Sequence, residues 1–326
     1  MTQVQKRSLA ILVPVFNEAE SISGFARGMA SVLDDLWRRD VELVPRLVFV
    51  DDGSRDGTVE VITKTVWPVD VQVIVLSRNF GKEAAMTAGL ARLVDDAVVI
   101  MDIDLQDPPE LIHEMVRAWS NGAKVVLGRR VDRSDDGIIK RITAHCFYRL
   151  HNSISNIHIP YNVGDFRLMD RKVIDVVNQL PENRRFMKGL FAWVGFEPVY
   201  LNYKRRSRDA GVSKFTTWRL WRLAIEGITS FSEVPLVVWS YLGGLIALSS
   251  FVYASVIVVR TLLFGLDVPG YASQITIILF LGGIQLLGIG VLGEYIGRVY
   301  SEVKRRPPFV ISDEIHISAQ GSDDEV

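Results

Sequence analysis

The first 130 residues alternate between two hydrophobic rhythms. Apolar stretches at residues 9–15, 45–50, 71–76, 97–101 and 124–127, continuous in the first and fourth and broken by Arg46, Gln72 and Lys124 in the others, each end abruptly in polar or glycine-rich sequence. Between them, residues 20–36 and 83–93 carry apolar positions at the spacing of an amphipathic helix. Uninterrupted apolar runs mark strands buried on both faces. Strands alternating with helices at this separation predict a parallel, doubly wound α/β sheet. In such sheets the C-terminal strand ends share one edge, where ligands bind. Here those ends read Phe16-Asn17-Glu18, Asp51-Asp52-Gly53-Ser54, Ser77-Arg78-Asn79, Asp102-Ile103-Asp104 and Gly128-Arg129-Arg130.

The rhythm changes after residue 136. Residues 137–155 interleave Ile138, Ile142, Phe147, Tyr148 and Leu150 with Lys140, Arg141, His145 and Arg149. This predicts a basic amphipathic helix, either packed on the core or lying in a membrane interface. Residues 203–215 are strongly basic and glycine-interrupted, which predicts a mobile loop closing the domain at residues 1–214. Residues 215–233, with Trp218, Arg219, Trp221 and Arg222, suit a juxtamembrane interface helix. Residues 234–259 and 268–293 then hold no charged side chain, each over about 26 residues. A helix crossing the hydrocarbon core needs ~20, so two such runs predict two transmembrane helices over residues 234–300. Arg219 and Arg222 precede the first run, and Arg298, Lys304, Arg305 and Arg306 follow the second. That bias places both ends, and the α/β domain, on the cytoplasmic side, with Arg260 snorkelling at the outer end. Glu294 is placed one turn from Arg298, in reach of a helical ion pair. Residues 301–326 form a tail, predicted to be disordered from residue 312 onward because it is polar and acidic.

Composition narrows the chemistry. A net charge of −1 on 326 residues gives no electrostatic argument for nucleic acid. The single cysteine, Cys146, excludes an internal disulfide and a thiolate metal cage. Residues 1–8 are polar and lead directly into strand-like sequence, so no secretory signal is expected. The first strand end lacks the glycine-rich turn of a dinucleotide site, and the Gly-Lys-Ser/Thr phosphate loop of a nucleoside triphosphatase is absent. The fourth apolar run leads into Asp102, Asp104 and Asp107, with Gln106 among them. On a continuing strand Asp102 and Asp104 would share one face. Two such oxygen ligands suit a hard divalent cation, Mg²⁺ or Mn²⁺; the alternative for a lone Asp-x-Asp is a polar turn after a strand.

Jointly, four motifs resemble the inverting family 2 glycosyltransferases of GT-A fold. They are Pro14-Val15-Phe16-Asn17-Glu18, Asp51-Asp52-Gly53-Ser54, Asn79-Phe80-Gly81-Lys82-Glu83-Ala84-Ala85-Met86 and Asp102-Ile103-Asp104-Leu105-Gln106-Asp107-Pro108-Pro109-Glu110. More narrowly, the chain resembles the polyprenyl-phosphate glycosyltransferases, which include bactoprenol glucosyltransferases and dolichol-phosphate mannose synthases. Leu292-Gly293-Glu294-Tyr295-Ile296-Gly297-Arg298 and the two apolar runs are similar to their membrane-anchored bacterial branch.

The resemblance implies a GT-A, mostly parallel sheet followed by a two-helix membrane region. It implies transfer of one sugar from a nucleotide-sugar to undecaprenyl phosphate at the cytoplasmic face of the plasma membrane, with inversion. UDP-glucose is the first expectation for the donor; GDP-mannose, UDP-galactose, UDP-N-acetylglucosamine and modified pentoses stay open. Pro14, Asn17, Glu18, Asp51, Asp52, Asn79, Lys82 and Asp102 would bind the nucleotide-sugar, and Arg208 and Lys214 would close over its diphosphate. Asp102, Asp104 and Gln106 would hold the metal, making Asp104 essential to transfer. Asp165 would be the catalytic carboxylate, or else a group that orients the acceptor site or pairs with Arg167. Arg130, Arg141, Arg167 and Ser213 would meet the acceptor phosphate. A homo-oligomer, such as a tetramer, is also implied. Two other readings stay open: a membrane-anchored nucleotide-sugar binder without catalysis, and a processive polysaccharide synthase. Against the last, the Gln-x-x-Arg-Trp motif and further spans of such synthases are missing.

Overall fold

A computed structural model describes residues 6–39, 42–131, 163–183, 185–204, 234–264 and 270–319. The amphipathic helix expected over 137–155, the helix over 215–233, and Arg141, Arg208, Ser213 and Lys214 lie outside the described residues. The order is β1 (Arg7–Val15), α1 (Ala19–Arg39), β2 (Leu43–Asp51), α2 (Thr58–Lys64), β3 (Val71–Leu76), α3 (Lys82–Arg92), β4 (Ala97–Ile100), α4 (Leu111–Ser120), β5 (Val125–Arg130) and β6 (Val163–Asp170). Then follow α5 (Arg171–Gln179), α6 (Met187–Trp193), β7 (Pro198–Tyr203), α7 (Val234–Phe264), α8 (Tyr271–Val303) and β8 (Ile311–Ile317).

The strands form one sheet in the order β7-β5-β6-β4-β1-β2-β3-β8. β1 takes the centre because nothing polar interrupts Leu9 to Val13, all fully buried. It pairs in parallel with β2 and β4, β2 pairs in parallel with β3, and β5 with β7. β6 runs antiparallel to both β4 and β5, and β8 runs antiparallel to β3. The sheet is therefore mostly parallel, as the resemblance implies, with β6 and β8 reversed where the strand–helix rhythm alone predicts a wholly parallel one. Reversal puts the start of β6 at the same edge as the ends of β1 to β5, which is what delivers Asp165 to that edge.

Helices cover both faces, as in a GT-A domain. On one face α1, α2 and α4 pack Phe25, Ile62 and Met115 against Phe49 and Val99. Phe25 meets Phe49 edge-on at 5.8 Å, a favoured aromatic geometry. On the other face α3, α5 and α6 pack Met86, Ile174 and Leu190 against Leu12, Val98 and Ile100. Burial of these side chains is the main stabilising term, each worth ~1.5–3 kcal/mol relative to exposure.

α7 and α8 are mostly apolar, and many of their described side chains are exposed, with Leu245, Leu248 and Phe251 more than 60% accessible. Stretches at Leu236–Phe264 and Phe280–Val303 are long and apolar enough to cross a membrane. α8 starts at Tyr271, just after Gly270, and runs to Val303, so each helix exceeds the charge-free run that predicts it. Arg298 pairs with Glu294 one turn away at 3.2 Å, as expected. The tail departs from expectation. Residues 311–317 are not disordered but form β8, with Ile315 and Ile317 packed against the core and Ser77 N–H donating to the Val310 carbonyl at 2.9 Å. Ile315 and Ile317 alternate with His316, while Ser312 to Glu314 keep the outer edge polar, as an edge strand needs; acidic composition conceals it.

Candidate active site

Three loops at the sheet edge are sewn together by side chains. Asn17, at φ 52, receives Arg55 N–H on its Oδ1 at 2.9 Å, while its own N–H donates to Ser54 Oγ at 2.8 Å. Glu18 N–H donates to Thr58 Oγ1 and Ala19 N–H to Asp56 Oδ2, both at 3.0 Å. The loop after β1 is thus fixed to the turn after β2. Asp52 then ties that turn to the next, accepting Phe80 N–H at 2.6 Å and Gly81 N–H at 2.8 Å. Burial raises its pKa against these two bonds. Gly53 sits at φ +72, and a Cβ there would meet the Arg78 carbonyl carbon at 2.5 Å, so two backbones touch at a place only glycine fits. Asp52 therefore braces the two loops together. Asp51 differs: its Oδ2 accepts Ser54 N–H at 2.9 Å, but its Oδ1 is buried without a partner. Pro14, Glu18 and Asn79 border the same edge; Glu18 also receives the Ser21 hydroxyl at 2.6 Å, and Asn79 is exposed.

Lys82, at the start of α3, is the hub. Its Nζ donates to Asp102 Oδ1 and to Asp165 Oδ2, each at 2.6 Å. The sheet explains this convergence. β4 ends at Ile100, putting Asp102 just past the edge, and α3 covers that face. Asp165 lies where the β5–β6 register shifts: Leu127 faces Arg167 and Arg129 faces Val163, so the Gly164-Asp165-Phe166 stretch bulges opposite Gly128. Bulges commonly re-aim a side chain beside a functional site. Lys188 of α6 approaches Asp165 Oδ1 at 3.9 Å from the other side. Burial opposes ionisation of Asp165, but Lys82 and then Lys188 override it and hold its pKa well below the usual carboxylate range. Burial likewise opposes the charge on Lys82, and Asp102 and Asp165 more than compensate, raising its pKa. The next residue, Glu83, accepts Met187 N–H at 3.0 Å; burial and the Asp165 charge push its carboxyl up to about 7. Sequence reading marks neither Glu83 nor Lys188 as a site residue.

The acceptor arginines separate. Arg167 is buried on the α3/α5/α6 face, stacked 4.3 Å over the Phe191 ring and donating to the Gly164 carbonyl at 2.8 Å. Its link to Asp165 is through that residue's carbonyl, at 3.3 Å, not as a side-chain ion pair. Burial pulls its pKa down to about 10. Arg130 projects to the opposite face, toward Phe166 and Tyr203: its Nε donates to the Tyr203 hydroxyl at 3.2 Å, and that hydroxyl donates to Asp107. Arg130 and Arg167 therefore do not form one cation pair, because strand alternation directs them to opposite sides of the sheet.

The expectation that Asp102 and Asp104 share a strand face also fails. Residues 101–107 turn, with Leu105 at φ 50. Asp104 Oδ1 accepts Gln106 N–H at 3.3 Å, and Gln106 Oε1 is buried with no partner. Among the described residues no three His, Cys, Asp or Glu side chains are grouped to hold a metal. The donors that fit an oxygen-seeking cation are two carboxylates and that orphaned amide carbonyl, a hard-oxygen set.

Comparison with known proteins identifies the family. Residues 10–177 match the model of glycosyl transferase family 2, and the chain belongs to that family. It is 50% identical over 305 residues to the SfII prophage-derived bactoprenol glucosyl transferase of Shigella flexneri, covering 93% of this chain and 97% of that one. It is 48% identical to the prophage bactoprenol glucosyl transferase homolog of Escherichia coli K12, over 93% and 98% of the two chains. A looser structural likeness is to glucosyl-3-phosphoglycerate synthase from Mycobacterium tuberculosis: TM-score 0.46, 18% identity, 68% and 75% of the chains covered.

Proposed function

We propose that this enzyme transfers a single sugar from a nucleotide-sugar, UDP-glucose first, to undecaprenyl or another polyprenyl phosphate, inverting the anomeric centre. The observation that carries this reading is the convergence of Asp102 and Asp165 on Lys82 at the strand-end edge, in a chain matching bactoprenol glucosyl transferases over nearly its whole length. Asp51 Oδ1, buried and unpartnered, is an acceptor suited to a ring N–H of the nucleotide base. Asp102, Asp104 and the Gln106 carbonyl would hold Mg²⁺ or Mn²⁺, which offsets charge on the departing diphosphate when bound.

Asp165 follows from its surroundings. A carboxylate held ionised by Lys82 and Lys188 is a poor proton acceptor near pH 7. A phosphate acceptor is already anionic there and needs little deprotonation. Asp165 therefore orients: it fixes Lys82 toward the donor-side carboxylate and Lys188 on the far side, where the ammonium meets the acceptor phosphate. Preset cations of this kind stabilise charge that moves between two phosphates without reorganising during the reaction. Arg130 braces the Asp107 turn through Tyr203. The two apolar helices hold the domain at the bilayer of a plasma membrane, catalytic side toward the cytoplasm, as a homo-oligomer.

The test is a donor panel with labelled sugars and undecaprenyl phosphate, with and without Mn²⁺ or Mg²⁺. A lipid-linked monosaccharide from one donor, abolished by chelation and by Asp104→Ala, is expected. Tight UDP binding with no product from any donor would sink the reading.

A further inference from the structure

The C-terminal end of α8 reaches the reaction cluster by a short path. Glu302, in the last turn of α8, accepts Asn183 N–H with both carboxylate oxygens, at 3.2 and 2.9 Å. Asn183 lies in the connection from α5 to α6, which Arg185 knits by donating to the Leu180 carbonyl at 2.6 Å and the Glu182 carbonyl at 3.2 Å. The connection ends at Phe186, which is buried. The following residues carry the cluster contacts: Met187 N–H on Glu83, the Thr87 hydroxyl donating to Met187 Sδ at 3.7 Å, and Lys188 beside Asp165. So the carboxylate closing the apolar helix and the ammonium flanking Asp165 are joined by one braced connection. Beyond Glu302 the chain turns at Arg305, φ 47, and enters β8, which pairs with β3 at the opposite edge of the sheet. Among the described residues, the Glu302 tie leads from the end of α8 toward Asp165, and the β8–β3 pairing holds the chain at another edge of the sheet.

Resting on the proposed transfer to a lipid acceptor, we infer that Glu302 is a positioning residue for that reaction. By docking the α5–α6 connection on the end of α8, it sets where Lys188 stands relative to Asp165. The acceptor half of the site is then correctly placed only when the domain is seated on its own apolar helix. The donor half, built from the loops after β1 to β4, does not depend on it. The Glu302 carboxylate shares the single Asn183 N–H in a bifurcated, charge-assisted hydrogen bond, and small misplacements of reacting groups are costly.

The experiment uses the full chain in phospholipid vesicles, comparing wild type, Glu302→Ala and Glu302→Gln. Glutamine keeps a carbonyl oxygen for the Asn183 N–H. Three readouts are taken: hydrogen exchange of the amides in residues 183–188, UDP affinity, and kcat and KM with undecaprenyl phosphate. Glu302→Ala should speed exchange across that segment at least about tenfold. It should lower kcat with the lipid acceptor by about tenfold, with UDP affinity unchanged, and Glu302→Gln should restore most of both. Wild-type exchange and kcat in Glu302→Ala would overturn the inference. So would parallel losses of UDP affinity and Tm, or a glutamine variant as impaired as alanine. If the wild-type protein transferred no sugar to the lipid, the proposed function would fail instead, while the exchange readout would still judge the tie between Glu302 and the connection.

Discussion

Removing the Lys82 ammonium leaves Asp102 and Asp165 close together with no cation between them, in a setting where like charges raise each other's proton affinity. Lys82→Ala should therefore lower kcat by roughly 10²–10³-fold, the loss typical of one preset electrostatic contact. Steady-state transfer assays at saturating donor read this directly. Glu83 supports a prediction of a different kind. Its carboxyl is pushed from an ordinary 4.5 to about 7, by burial and by Asp165. Between those two values the unfolded chain has lost the proton while the folded chain keeps it. Stability falls as pH rises through that window and levels off above about 7. Glu83→Gln keeps an acceptor for Met187 N–H and removes the titration. Thermal melts from pH 5 to 8 should show the wild-type Tm declining relative to the variant, with the gap widest above pH 7; parallel curves would refute the raised pKa. The strand-end carboxylates show in the sequence because each follows an apolar run. Glu83 and Lys188 do not, because one reads as a helix residue and the other meets Asp165 only through the packing of α6.

At the scale of elements, the first four strands are legible because burial on both faces demands mostly apolar sequence, unbroken in the cores of β1 and β4 and interrupted by Arg46 in β2 and Gln72 in β3. β6 and β8 are not, for opposite reasons. Val163 to Asp170 carries Asp165 and Arg167 within an otherwise largely apolar strand, and their charges mask its strand pattern. Ile311 to Ile317 sits at the sheet edge, where outward positions must be polar, so its acidity resembles that of a disordered tail. The distinction is testable. Ending the chain after Phe309 removes β8, strips the Ser77 N–H of its Val310 partner and uncovers the long edge of β3. The truncated protein should melt roughly 5–10 °C lower, as a loss of a few kcal/mol implies in a domain of this size. It should also aggregate with concentration, since an unprotected edge strand templates pairing. An unchanged Tm would mean that β8 contributes nothing to the domain.

At the scale of the whole molecule, the catalytic domain and the membrane helices constrain each other. α8 is held by the β8–β3 pairing and by Glu302, so the strand-end edge keeps a fixed relation to the apolar helices. On the proposed function, an enzyme seated in this way would meet its lipid acceptor by diffusion within the bilayer, not from bulk solution. The relevant acceptor concentration is then a mole fraction at the surface. Holding bulk undecaprenyl phosphate and enzyme constant while adding phosphatidylglycerol to the same vesicles should lower the rate in proportion once the acceptor falls below its surface KM. Soluble donor kinetics should not respond, because the nucleotide-sugar arrives from water. A short-chain, water-soluble polyprenyl phosphate gives the contrast: its rate should be insensitive to the added lipid. If dilution left the undecaprenyl phosphate rate unchanged, the acceptor would have to leave the bilayer before reacting. The apolar helices would then serve only as an anchor, with no part in presenting the substrate.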